Sequence, residues 1–119
     1  MPSINPVISV EYSGNATIMT FSNEKILEDN DIKSLRESIM SVIEQAEQIN
    51  LILDFSNVRF LSSAVLGLLI RISEKVYERD GRLMLCHIEP KIYQVFKITR
   101  LTKIFDIYDT VGSAIQTVS

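Results

Sequence analysis

The sequence predicts an α/β fold: a mixed β-sheet with an N-terminal hairpin and later parallel strands, and helices packed on the sheet. Three observations lead there. Two β-rich runs flank Ser13-Gly14-Asn15. Two short, almost continuous apolar runs, Ile49–Phe55 and Leu83–Ile88, suit strands buried on both faces. Between and after them lie segments whose apolar residues recur every three or four positions, the period of a helix with one buried side.

Along the chain, Ile4–Tyr12 (INPVISVEY) and Ala16–Phe21 (ATIMTF) form the hairpin, with Gly-Asn as the turn signal. Ser22–Asp31 is polar and reads as a loop, with Asn30 or Asp31 positioned to cap a helix. Ile32, Leu35, Ile39, Val42, Ile43 and Ala46 then give an amphipathic helix to about Gln48. The first buried strand follows, and after Ser56–Leu61 a second helix presents Val65, Leu68, Leu69, Ile72 and Val76 inward as far as Arg79. Asp80-Gly81 breaks it. After the second buried strand, Glu89-Pro90 opens a third helix, because proline suits the first helical position; Ile92, Val95 and Phe96 mark its inner side. Leu101–Ile107 is a connection or a last strand. Asp109 or Thr110 caps a closing helix that turns Val111, Ala114, Ile115 and Val118 inward. Each β-α-β passage calls for a right-handed crossover and hence parallel strands.

The 119 residues are one domain's worth, 46% hydrophobic and 23% charged, a globular composition. The expectation is a single domain over residues 1–119. A net charge of −3 is too acidic for a general nucleic-acid binder, so no direct DNA binding is expected. The charge is uneven: residues 1–58 carry nine acids and three bases, and residues 59–119 carry six acids and nine bases. Lys91, Lys97, Arg100 and Lys103 lie close together in that half, either as the solvated surface around the end of one helix or as a basic patch for phosphate or an acidic partner. The start MPSINPV has neither the basic nor the apolar region of a signal peptide. No apolar run reaches the roughly 20 residues of a membrane span. With one cysteine, a soluble protein of the reducing cytoplasm is expected.

Catalytic chemistry finds little support. The one Cys and one His are neighbours, Cys86 and His87, and on a strand they point to opposite faces. That argues against a metal site and against a Cys–His pair. Gly14, Gly67, Gly81 and Gly112 form no phosphate-binding loop. No Ser sits in a nucleophile-elbow motif. The protein is expected not to be an enzyme and to need no cofactor.

The informative stretch is Asp54-Phe55-Ser56-Asn57-Val58-Arg59-Phe60-Leu61-Ser62-Ser63-Ala64-Val65-Leu66-Gly67. It leaves a buried strand, crosses a short loop and enters an apolar helix through two serines. Helix capping accounts for it simply, with Ser62 accepting from a free backbone N–H. The same orphan N–H groups and positive dipole end would also tolerate a phosphate on either serine. Lying between two buried segments, Arg59, Ser62 and Ser63 should be accessible to a partner, with Val65 and Leu66 at the edge of that surface or in the core.

Here the chain resembles a STAS domain, the family of bacterial anti-sigma factor antagonists. The likeness spans essentially the whole chain, including LILDFSNVRFLSSAVLGLL and the closing VFKITRLTKIFDIYDTVGSAI. In the similar family region, which reads Asp-Ser-Ser-Gly-apolar-Gly or Thr-Ser-Ala-Gly-apolar, the first Ser after the Asp or Thr is phosphorylated. Aligned from Phe60 and Gly67, that acceptor falls on Ser63, with the adjacent Ser62 as the alternative. Ser62 replaces the family's frequent Asp, Val65 replaces its usual Gly, and Ser22–Ile26 replaces its Gly-x-Leu-Asp pattern. The resemblance implies a partner switch. The unphosphorylated protein binds a GHKL-type serine kinase that is also the anti-sigma factor, releasing the sigma factor; phosphorylation reverses this, and a PP2C-type phosphatase resets it. Two other readings stay open: an unphosphorylated docking subunit of a transporter or lipid-trafficking ATPase complex, and a small-ligand-binding STAS module with a pocket near His87 or Lys91.

Overall fold

Three crossover connections of one hand, each stepping the strand order the same way, put all their helices on one face of a sheet. The computed structural model, which describes residues 8–118, has this arrangement. Strands β1 (Ile8–Ser13) and β2 (Ala16–Phe21) form the antiparallel hairpin. The N-terminal end of the expected first run, residues 4–7, lies outside the described residues. A two-residue strand β3 (Lys25–Ile26) precedes helix α1 (Asp29–Gln45). Strand β4 (Asn50–Asp54), a second two-residue strand β5 (Phe60–Leu61) and helix α2 (Ser63–Glu78) follow. The chain closes with β6 (Arg82–Cys86), α3 (Pro90–Ile98), one 3-10 turn at Leu101–Lys103, β7 (Asp106–Tyr108) and α4 (Val111–Gln116). The main sheet has the order β1-β2-β4-β6-β7, with every pair after the hairpin parallel.

Alternate side chains of the central strands go to opposite faces, and each face has its own cluster. On one side Met19, Phe21, Leu51, Leu53, Leu83 and Leu85 meet Leu35, Ile39 and Ile43 of α1, Val65, Leu69 and Ile72 of α2, and Ile92 and Phe96 of α3. The register pairs Leu51 with Leu83 and Leu53 with Leu85, as strands buried on both faces require. On the other side, among the described residues, α4 lies over Ala16, Ile18, Ile52, Met84 and Cys86, supplying Ala114 with partly buried Val111, Ile115 and Val118. Thr110 caps α4 as expected, its hydroxyl accepting from the Ser113 N–H at 3.0 Å.

Several local expectations are corrected. Ser22–Asp31 is not a plain loop: Lys25–Ile26 pairs in parallel with Phe60–Leu61, two segments too short for any periodicity to show. Helix α1 begins before Asn30 and Asp31; its N-cap is Glu28, which makes no side-chain cap bond. Asp29 and Asp31 sit instead in the first turn, where the helix dipole favours their charge. The far end of α1 has no base of its own. Arg79, arriving from α2, donates to the Ala46 carbonyl at 2.9 Å and to the Glu44 carbonyl at 3.2 Å. Val95 is not on the inner side of α3; it is 41% exposed.

The Asp80-Gly81 break is real, with the two roles shifted by one residue from the usual glycine ending. Asp80, not Gly81, takes the left-handed conformation, at φ 57°. The Asp80 N–H reaches the Tyr77 carbonyl at 3.1 Å and the Gly81 N–H reaches the Val76 carbonyl at 2.9 Å, the paired bonds of a Schellman ending. Gly81 is required for space: a Cβ there would collide with the Ile49 carbonyl oxygen. Asp80→Gly, which relieves the left-handed strain and leaves Gly81 in place, should raise stability by about 0.5–1 kcal/mol. A thermal melt reads this directly; a lowered midpoint would show that the Asp80 side chain contributes more than its backbone conformation costs.

Candidate functional site

The loop from β4 to α2 is built to hold two serines at a helix entrance. Phe55 anchors it, fully buried with its ring 4.7 Å from that of Phe21. Its N–H donates to the Cys86 carbonyl at 3.0 Å. The Asn57 side-chain amide donates to the Phe21 carbonyl at 2.9 Å, and Val58 closes a turn back to Phe55. The Arg59 and Phe60 N–H groups then both reach the Glu24 carbonyl, and the Ser62 N–H reaches the Ile26 carbonyl at 3.1 Å. The short β3–β5 pairing thus fixes the backbone that delivers Ser62 and Ser63.

The two serines are presented differently. Ser63 is the first residue of α2 and is exposed. Ser62 is the N-cap residue, yet its side chain makes no cap hydrogen bond, contrary to the capping role expected of it. Its hydroxyl oxygen is buried and unpartnered among the described residues. The first turn of α2 contains no acidic residue, so its positive dipole end is not neutralised within the helix.

Of the expected partner-facing residues, Arg59 and Ser63 are exposed and Leu66 is half-buried. Of the two places open to Val65, the structure gives the core: it is 1% exposed, because its position on α2 faces the sheet alongside Leu69 and Ile72, and it does not line the partner surface. Arg59, Ser62, Ser63 and Leu66 line a groove of about 360 Å³ together with Leu27, Phe60, Lys91 and Val95. The last four lie outside the expected site. Leu27 follows buried Ile26 and Phe60 opens β5 beside Leu61, so only their exposure, 48% and 51%, distinguishes them from core anchors. The Lys25 ammonium stands over the Phe60 ring at 5.6 Å from its centre. The groove is apolar, with Arg59 and Lys91 as its two cations.

A second polar cluster lies at the carboxyl ends of β4 and β6. Asp54 and Cys86 are register partners on these neighbouring strands. Strand alternation would send His87 to the opposite face from Cys86, but β6 stops at Cys86 and His87 takes φ 55°, in the left-handed region. This brings His87 Nδ1 to 2.9 Å from Asp54 Oδ1. Asp54 also accepts from the Ser56 N–H at 3.0 Å and from the Thr20 hydroxyl at 3.4 Å. Burial and then the Asp54 charge push the Cys86 thiol up to about 12, which leaves it unreactive as a nucleophile.

A mixed five-stranded sheet with three helices on one face and one on the other defines an α/β domain of a particular connectivity, and residues 8–114 match the STAS domain model. The chain belongs to the STAS domain family. It is 22% identical over 112 residues to an anti-sigma F factor antagonist of Paenibacillus polymyxa, covering 94% of each chain. Its fold is shared with a STAS domain protein of Planctomyces limnophilus, at a TM-score of 0.85 and 19% identity over 94% of this chain and 98% of the other. The phosphorylated form of the Bacillus cell fate determinant SpoIIAA superposes with a TM-score of 0.72 at 19% identity, over 94% of this chain and 99% of that one. Among the described residues no helix is long and apolar enough to cross a membrane.

Proposed function

We propose that this protein is a cytoplasmic anti-sigma factor antagonist, one domain over residues 1–119, that works by binding and not by catalysis. Its partner is a GHKL-type serine kinase that doubles as the anti-sigma factor, and a PP2C-type phosphatase restores the binding form. The observation that carries this reading is the exposed Ser63 hydroxyl at the first position of α2, on the wall of an apolar groove. Exposure favours Ser63 over Ser62 as acceptor, since the Ser62 hydroxyl is buried and a kinase must reach the oxygen it modifies. Leu27, Phe60 and Val95 offer apolar contact, and Arg59 and Lys91 suit acidic residues at the rim of the partner.

The test is intact-mass spectrometry after incubation with ATP and a GHKL-type serine kinase anti-sigma factor of the same organism. The expected product carries one phosphate, mapped to Ser63. Modification of Ser62 would shift the acceptor by one residue. A protein that binds that kinase yet is never modified would favour the unphosphorylated docking-subunit reading.

A further inference from the structure

We propose that Asp54, Cys86 and His87 form a binding site for a divalent cation of the zinc class, with solvent as a fourth ligand. One potential ligand atom from each of the three residues lies within 4.8 Å of the other two. They converge from different causes: the β4–β6 register sets Asp54 beside Cys86, and the left-handed backbone at His87 turns the imidazole back onto them. In the absence of a cation the Cys86 thiol packs in the core under α4 and donates to the Leu53 carbonyl at 3.7 Å.

The donor set selects the ion. A carboxylate, an imidazole and a thiolate together suit zinc and its neighbours, whereas magnesium and calcium take oxygen ligands. In a tetrahedral site the donors stand about 3.3–3.8 Å apart, given metal–ligand bonds of about 2.0–2.3 Å. If His87 Nδ1 and Asp54 Oδ1 are the ligand atoms, their 2.9 Å contact must therefore open by a few tenths of an ångström. His87 and Asp54 are partly exposed at their side chains, 37% and 13%, which gives both room to adjust. Thr20 and the Ser56 N–H hold the carboxylate in place, the supporting role that outer partners play around metal ligands.

Of the three residues, His87 also lines a cavity of about 330 Å³ with Tyr93, Tyr108 and Asp109 among others, through which solvent would reach the fourth position. Three protein ligands and one open position make a site that exchanges a solvent molecule or a small ligand, unlike a closed structural zinc site. On binding, the Cys86 S–H bond breaks, its electron pair forms the sulfur–metal bond and one proton leaves to solvent. The cavity shares no lining residue with the groove at Ser63, so this site stands or falls independently of the phosphorylation switch.

The experiment is a cobalt titration of the reduced, tag-free full chain. With one Cys and one His in the sequence, a thiolate-to-cobalt charge-transfer band can come only from Cys86. The expected result is saturation at one equivalent, with that band and the strong visible bands of four-coordinate cobalt, all removed by zinc. Cys86→Ser should abolish the charge-transfer band. His87→Asn, which retains a residue at ease in the left-handed region, should weaken binding at least tenfold with an unchanged far-ultraviolet circular dichroism spectrum. That variant keeps the test decisive if Cys86→Ser fails to fold. No thiolate band at millimolar cobalt would overturn the proposal. Cobalt bound without that band, or unchanged affinity in a folded His87→Asn protein, would overturn it equally.

Discussion

Ser63→Asp protein should bind its anti-sigma partner about 100-fold more weakly than the parent while melting at the same temperature or slightly higher. The asymmetry comes from where the charge sits in each state. In the free domain, residue 63 is exposed at the first position of a helix whose opening turn has no acid to compete, so added negative charge meets free N–H groups and the dipole end. At a packed interface over the Leu27–Phe60–Val95 groove the same charge must be desolvated, and it opposes the acidic partner residues that Arg59 and Lys91 attract. A phosphate carries about −1.5 to −2 and three acceptor oxygens, and a differential cost of about 3 kcal/mol corresponds to just over a 100-fold loss. One carboxylate imitates this incompletely, so phosphorylated protein should bind more weakly still. Ser63→Ala should fold normally, accept no phosphate and bind persistently. Calorimetric titration against the purified partner decides the matter: equal affinities for Ser63→Ala, Ser63→Asp and the parent would end the switch reading, and phosphate appearing on Ser62 of Ser63→Ala would relocate it.

The sheet was legible in the sequence because its strands are apolar on both faces and its helices on one. Leu51, Leu53, Leu83 and Leu85 leave no other arrangement that buries them, and Pro90 and Thr110 mark helix starts by their own chemistry. What escaped was structure held by backbone alone. The β3–β5 pairing, the Glu28 start of α1 and the left-handed residue at Arg100 have no pattern of residue types that would reveal them, and at the Asp80-Gly81 break only the residue taking the left-handed conformation was hidden. The site divides in the same way. Arg59 and Ser63 were found because they lie in a loop between buried segments. Val65 was ambiguous because the first turn of a helix contributes to both core and surface, and packing assigns it to the core. Lys91 and Val95 belong to α3, distant in sequence from the serines, and only the folded chain brings them to the groove. Cys86 and His87 escaped because strand alternation was carried one residue beyond the strand.

Two leucine-to-alanine changes should separate fold from binding. Leu53 is 0% exposed in the central strand β4, paired in register with Met19 on one side and Leu85 on the other. Its loss removes apolar contacts and leaves a cavity that rigid flanking strands cannot close, at a cost of about 2–5 kcal/mol. Against a total stability of about 5–15 kcal/mol, that is a large fraction and should lower the thermal midpoint by about 10–20 °C. Leu27 carries the same side chain but is 48% exposed on the groove wall. Leu27→Ala should change stability by no more than about 0.5 kcal/mol, since most of what it loses was already in water. Its effect should fall on the complex, where truncating an apolar contact next to Ser63 weakens the partner's hold while the melt is unchanged. A Leu53→Ala protein with the parent's midpoint would place that side chain outside the core. If Leu27→Ala destabilises the free domain as strongly as Leu53→Ala, the groove wall is part of the core and not a docking surface.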